Sequence, residues 1–235
     1  MPGPLVLLVL VLISSSPVIA VYAWFRLANY QISLTRFLFA LLAGAAAFFP
    51  ALILQNLLTF SFATQGRTAV LYNFFIRVAF TEELSRLLML FIFFFISGRV
   101  KPDEDLSRPL TFNIIKKGTA IGLVAGLGFA ILESARYAAA DMSISIVLLR
   151  FFTAALHGAC GSRVGAAAVM FRTNPFQALM RLLTAVAIHG IFNFMASLSG
   201  LPSLMAILIA LSAAASSIMT IHSGWNNEED PQPTP

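Results

Sequence analysis

The chain is poor in what a soluble protein has in abundance. Only 11% of its residues are charged, against roughly 25% in a typical soluble domain. It has one cysteine, Cys160, so an intrachain disulfide is excluded and the redox compartment is unreadable. Apolar and polar residues do not alternate with a period of two, which argues against an outer-membrane barrel. No internal repeat is visible, and many secondary transporters are built from repeats. There is no HExxH and no GxSxG, so the common soluble zinc-protease signature and the hydrolase nucleophile elbow are both missing.

What is present is hydrophobic: 59% of the chain, in runs of twenty or more residues along its whole length. This is the pattern of an all-α, polytopic membrane helix bundle. Seven spans fit, near 4–24, 36–60, 70–97, 114–138, 143–170, 177–198 and 201–222. The N-terminal run continues into Tyr22 and Trp24 and lacks a basic start, so it reads as a retained first span. Residues 1–223 then form one integral membrane domain with a core at about 70–198, and the polar, Pro-rich stretch 224–235 reads as a disordered tail.

The net charge of +5 is no sign of nucleic-acid binding, because the basic residues sit in loops and flanks. Arg26 and Arg36 follow the first span. Arg99, Lys101, Arg108, Lys116 and Lys117 follow the third, and Arg172 and Arg181 the fifth. With seven spans these all fall on one side. The positive-inside rule then puts the N-terminus outside and the C-terminus inside. The chain carries no organelle signal, which points to a prokaryotic inner membrane.

Against this background the intramembrane polar residues stand out: Glu82, Glu83 and Arg86 in the third span, Glu133 and Tyr137 in the fourth, His157 in the fifth, His189 and Asn193 in the sixth. A carboxylate at membrane depth costs roughly 2.5–3.5 kcal/mol even on lenient scales. Glu82 with Arg86, Glu133 with Tyr137, and His189 with Asn193 are each four apart and share a helix face. Counting about 1.5 Å per residue from the outer face, Glu83 lies roughly 16–20 Å deep, His157 about 18–20 Å, His189 roughly 10–15 Å and Glu133 roughly 5–10 Å. One cavity in the outer half of the bilayer can hold them all. Two adjacent carboxylates do not readily both ionise in a low dielectric, and Arg86 beside one leaves the other able to act as a base. Arg77 and Arg150 lie nearer span ends and read as snorkelling. Cys160 reads as a packing residue, with a ligand role kept open by its place three residues after His157. Gly118, Gly122 and Gly126, and likewise Gly161 and Gly165, recur every fourth residue and predict close approach of the fourth and fifth spans.

The residues leave two chemistries open. In one, no cofactor is needed: a Glu activates water, and His189 with Asn193 stabilises the oxyanion. In the other, three or four ligands from Glu83, Glu133, His157 and His189 hold Zn²⁺ with a position open to water. A proton-coupled transporter or channel using the same buried Glu and His groups is a further reading.

The ordered runs EELSR, GFAILESARY, LHGACGSRVG and IHGIFNF resemble the PrsW family of intramembrane proteases. More distantly, they resemble the CAAX-type prenyl endopeptidase and bacteriocin-processing family. Glu82 and Glu83 match the paired glutamates, with Arg86 where relatives often have Lys. Gly128, Phe129, Ala130, Glu133 and Tyr137 match the second motif, and His157 and His189 the separated histidines, with Asn193 following. The match covers roughly 20–198. It departs after Glu133, where SARY replaces a following Asn. The resemblance implies hydrolysis of a peptide bond in a membrane-anchored substrate such as a single-span anti-sigma factor. By the distant branch, Glu82 or Glu83 with His157 would activate water, His189 with Asn193 would form the oxyanion hole, and Arg86 would balance charge.

Overall fold

The computed structural model describes residues 4–30, 32–59, 66–96, 112–140 and 144–223. The basic connection at 97–109 and the polar tail, both singled out in the sequence, lie outside the described residues. Among the described residues there is no strand, and the helices form seven rods. They are α1 (Pro4–Leu27), α2 (Leu34–Thr59), a composite third rod, α5 (Phe112–Ala140), α6 (Ile144–Met170), α7 (Pro175–Ala196) and α8 (Leu201–His222). Among the described residues four stretches are long and apolar enough to cross a membrane: Leu34–Leu57, Ile114–Tyr137, Pro175–Ala196 and Leu201–His222.

The sequence predicts an unbroken third span, but the rod has three parts. A single turn, α3 (Arg67–Leu71), leads into a π-helical segment (Tyr72–Phe80), which passes without a break into α4 (Thr81–Ile96). A π-helix widens the turn and loosens backbone hydrogen bonds, and such segments are rare outside functional sites. Side chains bind the loosened carbonyls here: Thr81 Oγ1 donates to the carbonyls of Arg77 and Val78 at 2.7 and 3.0 Å. The paired glutamates occupy the first turn after the segment ends.

α5 is the central helix. In its candidate span 78% of the residues are buried, against 28–39% in the other three. Its most extensive contact is with α6, and α2, α1 and α8 cover its remaining sides. The α5–α6 approach depends on glycine. A Cβ on Gly122 would collide with the Gly161 carbonyl, and one on Gly126 with the carbonyl of His157. Backbones this close hold His157 against α5, as the four-residue glycine spacing predicts. Outward faces of α2, α4 and α8 expose Leu, Ile and Phe in numbers suited to lipid, among them Phe49, Ile53, Leu57, Phe95 and Leu208.

The ends of the rods are specified locally. Asn174 caps α7 by accepting from the Gln177 N–H at 3.1 Å, and Pro175 fills the first helical position. Tyr30, between α1 and α2, bonds His222 at the end of α8 (3.3 Å). That contact places the α1–α2 connection and the end of α8 at one face of the bundle.

Candidate active site

α6 and α7 are antiparallel, and each carries a histidine at the same height above their shared turn. His157 is thirteen residues before Met170 and His189 fourteen after Pro175, or roughly 20 Å in each case. Their rings meet edge to face at 4.9 Å between centroids. α4 brings Glu82, Glu83 and Arg86 to the same level, all buried.

Glu83 is fully committed. Its Oε2 accepts from Arg86 Nη1 at 2.7 Å, and its Oε1 accepts from His189 Nδ1 at 2.7 Å. Both are charge-assisted distances. The second bond fixes the His189 tautomer: with the proton on Nδ1, the Nε2 lone pair is free. That lone pair lies 3.7 Å from Glu82 Oε2. Glu82 Oε1 accepts from Gln55 Nε2 at 2.9 Å, whereas its Oε2 is buried with no hydrogen-bond partner among the described residues. Arg86 Nη2 stands 3.8 Å from it.

His157 takes the opposite tautomer. Guanidinium can only donate, so Arg86 Nη2 at 3.1 Å makes His157 Nδ1 an acceptor. Its Nε2–H then donates to Glu133 Oε2 at 2.9 Å. Glu133 also accepts from Arg150 Nη1 at 3.1 Å. Arg150 lies over the Tyr137 ring, 3.9 Å from its centroid. Arg150 thus pairs inward with Glu133 and does not snorkel, and Arg77 likewise turns inward to the Gln55 carbonyl and Asn73. Beneath the cluster, Phe129 carries the Arg86 guanidinium on its face at 4.6 Å.

Six of the eight residues singled out from the sequence therefore form one connected network, running from His189 through Glu83, Arg86 and His157 to Glu133, with Glu82 beside it, and Tyr137 lies at its edge against Arg150. Asn193 lies on the His189 face of α7, half-buried, and its side chain bonds no member of the network. Gln55 was not singled out. Its signal was the amide pair Gln55–Asn56 in the apolar run ALILQNLL. Cys160 is buried and gives its thiol to the Ala185 carbonyl at 3.5 Å, which suits a packing role.

A carboxylate oxygen of Glu82 and one nitrogen each of His157 and His189 lie within 4.8 Å of one another. One carboxylate and two imidazoles make a recognised catalytic zinc set. The 3.7 Å between Glu82 Oε2 and His189 Nε2 is near the roughly 3.3 Å that separates two ligands of tetrahedral zinc. Both atoms are free to coordinate. His157 joins them by releasing Arg86 or Glu133. Three carboxylates share two guanidinium groups, so ionising all three at once calls for a further cation. The residues fit a divalent metal: the sequence candidates were Glu83, Glu133, His157 and His189, and the three atoms that converge belong to Glu82, His157 and His189.

A family model described as PrsW family intramembrane metalloprotease matches residues 33–223. The chain belongs to that family. It is an integral membrane peptidase, and family membership favours proteolysis over transport. Every residue of the polar network lies inside the matched stretch of this PrsW-family chain. No curated protein and no solved structure gives a significant match.

Proposed function

We propose that this chain hydrolyses a peptide bond of a membrane-anchored protein, at a water held between Glu82 Oε2 and His189 Nε2. One observation carries this reading: among the acidic oxygens of the network, Glu82 Oε2 is the buried one with no hydrogen-bond partner among the described residues, and it faces a free imidazole lone pair. Gln55 fixes the other oxygen and so aims this one. Glu83 orients His189 through Nδ1–H, in the manner of the carboxylate behind a catalytic or metal-bound histidine. Arg86 neutralises Glu83 and holds His157.

Hydrolysis needs a base, a site for the oxyanion and a proton for the leaving amine. In the metal-free route Glu82 Oε2 takes the proton from water and returns it to the amine; in the metal route that oxygen would be a ligand and not the base. Asn193, one turn beyond His189, supplies an amide N–H toward the oxyanion. Glu82, His157 and His189 would hold a divalent metal such as Zn²⁺, which would polarise the substrate carbonyl and acidify water. In the seven-span arrangement with the C-terminus inside, the network sits in the outer half of the bilayer. Glu133, Arg150 and Tyr137 connect it to the outer surface, where Tyr137 is 44% exposed. A single-span substrate cut on its outer side, in a prokaryotic inner membrane, suits that placement.

The test is cleavage of a single-span peptide by purified protein in detergent, with metal content measured on the same sample. Glu82→Gln should lower the rate by at least ~10²-fold, the scale of a lost general base. It should also lower the metal content. Glu83→Gln should cost about 10–100-fold, as loss of an orienting partner does. A fully active Glu82→Gln would overturn the assignment. Full activity after a chelator has removed all metal would leave the metal-free route.

A further inference from the structure

The motif LHGACGSRVG does more than supply His157. Six residues on, Arg163 points away from the histidines, about 9 Å nearer the α6–α7 turn along the helix axis. It meets Arg181 of α7 at two adjoining cavities of about 450 and 90 Å³, which both arginines line. The smaller one is polar where α8 closes it, and the larger is lined by α6 and α7. Arg163 Nη1 donates to Ser217 Oγ at 3.1 Å and Nη2 to Ser216 Oγ at 3.3 Å. Ser162 and Ser217, both buried, bond each other at 2.7 Å.

Among the described residues the two arginines have no counter-charge: no carboxylate pairs with Arg163 or Arg181, and the two guanidinium groups repel one another. Half-buried like charges in a low dielectric are costly unless an anion joins them. The place also fits an anion with a hydrocarbon tail. It lies roughly 10 Å below the bundle end, the end that holds the basic connections. The larger cavity opens beside Met180 and Thr184 on the outward face of α7, where Met180 and Leu183 are exposed. Basic pockets between helices near a membrane face suit phospholipid head groups.

We propose that Arg163 and Arg181, with the Ser216 hydroxyl, form a phosphate-binding site between α6, α7 and α8, distinct from the proteolytic network. It would take the phosphodiester of an anionic phospholipid, and inorganic phosphate shares the same recognition chemistry.

Native mass spectrometry of the full chain from bilayers of mixed phosphatidylglycerol and phosphatidylcholine tests this. The wild type should retain phosphatidylglycerol preferentially. Arg181→Gln should weaken that preference ~5-fold, the effect of one basic residue near an anionic surface, and Arg163→Gln/Arg181→Gln should abolish it. Arg181 makes no hydrogen bond to a described residue, so the single variant keeps every internal contact and the test stands even if the double variant misfolds. Thermal melting separates the sources. Protection by phosphatidylglycerol with none from millimolar inorganic phosphate assigns the site to lipid. Equal protection by phosphate, lost in Arg181→Gln, assigns it to the free ion. Equal retention of the two lipids by the wild type, or a preference unchanged in Arg181→Gln, would overturn the proposal.

Discussion

Glu82 and Glu83 are neighbours in sequence and both lie beside Arg86 and His189, but only Glu83 hydrogen-bonds them. Adjacent helical residues point about 100° apart, so one faces α2 and the other α7. Glu83 ends between Arg86 and His189, fully hydrogen-bonded, while Glu82 keeps one bare oxygen. The sequence shows that both are expensive at this depth, and spacing shows that Glu82 shares a face with Arg86. Which carboxylate takes the cation depends on side-chain reach across helices, and spacing is silent on that. Arg150 shows the same gap: its distance from the span end suggests snorkelling, yet Glu133 on the next helix captures it. Arg86 is the joint between the two histidine arms, so its loss should be felt in stability. Arg86→Leu leaves Glu83 buried without a cation, a change that costs about 3–5 kcal/mol when one partner of a buried pair is removed. Arg86→Leu/Glu83→Leu should recover much of this, and thermal melting in detergent measures both. Equal melting of Arg86→Leu and wild type would mean that the pair contributes nothing to the fold.

The helices themselves were legible because their signals are long and redundant: runs of twenty apolar residues and glycines every fourth residue. The π-helical segment was not, since YNFFIRVAF has no sequence mark of its insertion and the register shift comes from tertiary packing. Its neighbours show what holds it. Phe75 presses on Gly190, directly after His189, where any Cβ would strike the ring. Gly190→Ala should therefore shift the π segment or α7, and with them the spacing of Glu82 and His189. Activity should fall ~10-fold or more, because misplacement near 1 Å can cost 10²-fold, while folding changes less. Phe75→Leu/Gly190→Ala should restore part of the rate. At the α5–α6 seam the obstacle is backbone. Gly122→Ala should destabilise by about 1–3 kcal/mol. Gly158→Ala, whose nearest neighbours are the Leu127 and Leu123 side chains at 3.3 and 3.8 Å, should cost clearly less. Comparable losses at the two positions would undo the account of the seam.

At the scale of the molecule, the loop charges and the bundle offer separate reasons for one arrangement. The charges place the α1–α2 connection, the stretch after the third rod, the α6–α7 turn and the C-terminus on one side. The Tyr30–His222 bond joins two of these at one face, as seven alternating rods require. If so, the proteolytic network opens outward through Glu133 and Tyr137, and the Arg163–Arg181 cavities lie toward the inner leaflet. The buried Cys160 makes this testable with little background, since a fully buried thiol escapes a water-borne maleimide. Thr173 and Ser199 are exposed in the turns at opposite ends of α7. In intact cells, Ser199→Cys should react with a membrane-impermeant maleimide, and Thr173→Cys should react only after permeabilisation. The reverse pattern would invert the molecule and place the network in the inner half, so that the substrate would be cut on its inner side. Labelling of both from one side would mean that α7 does not cross. His189 and Asn193, carried on that helix, would then lose the depth on which the shared cavity rests.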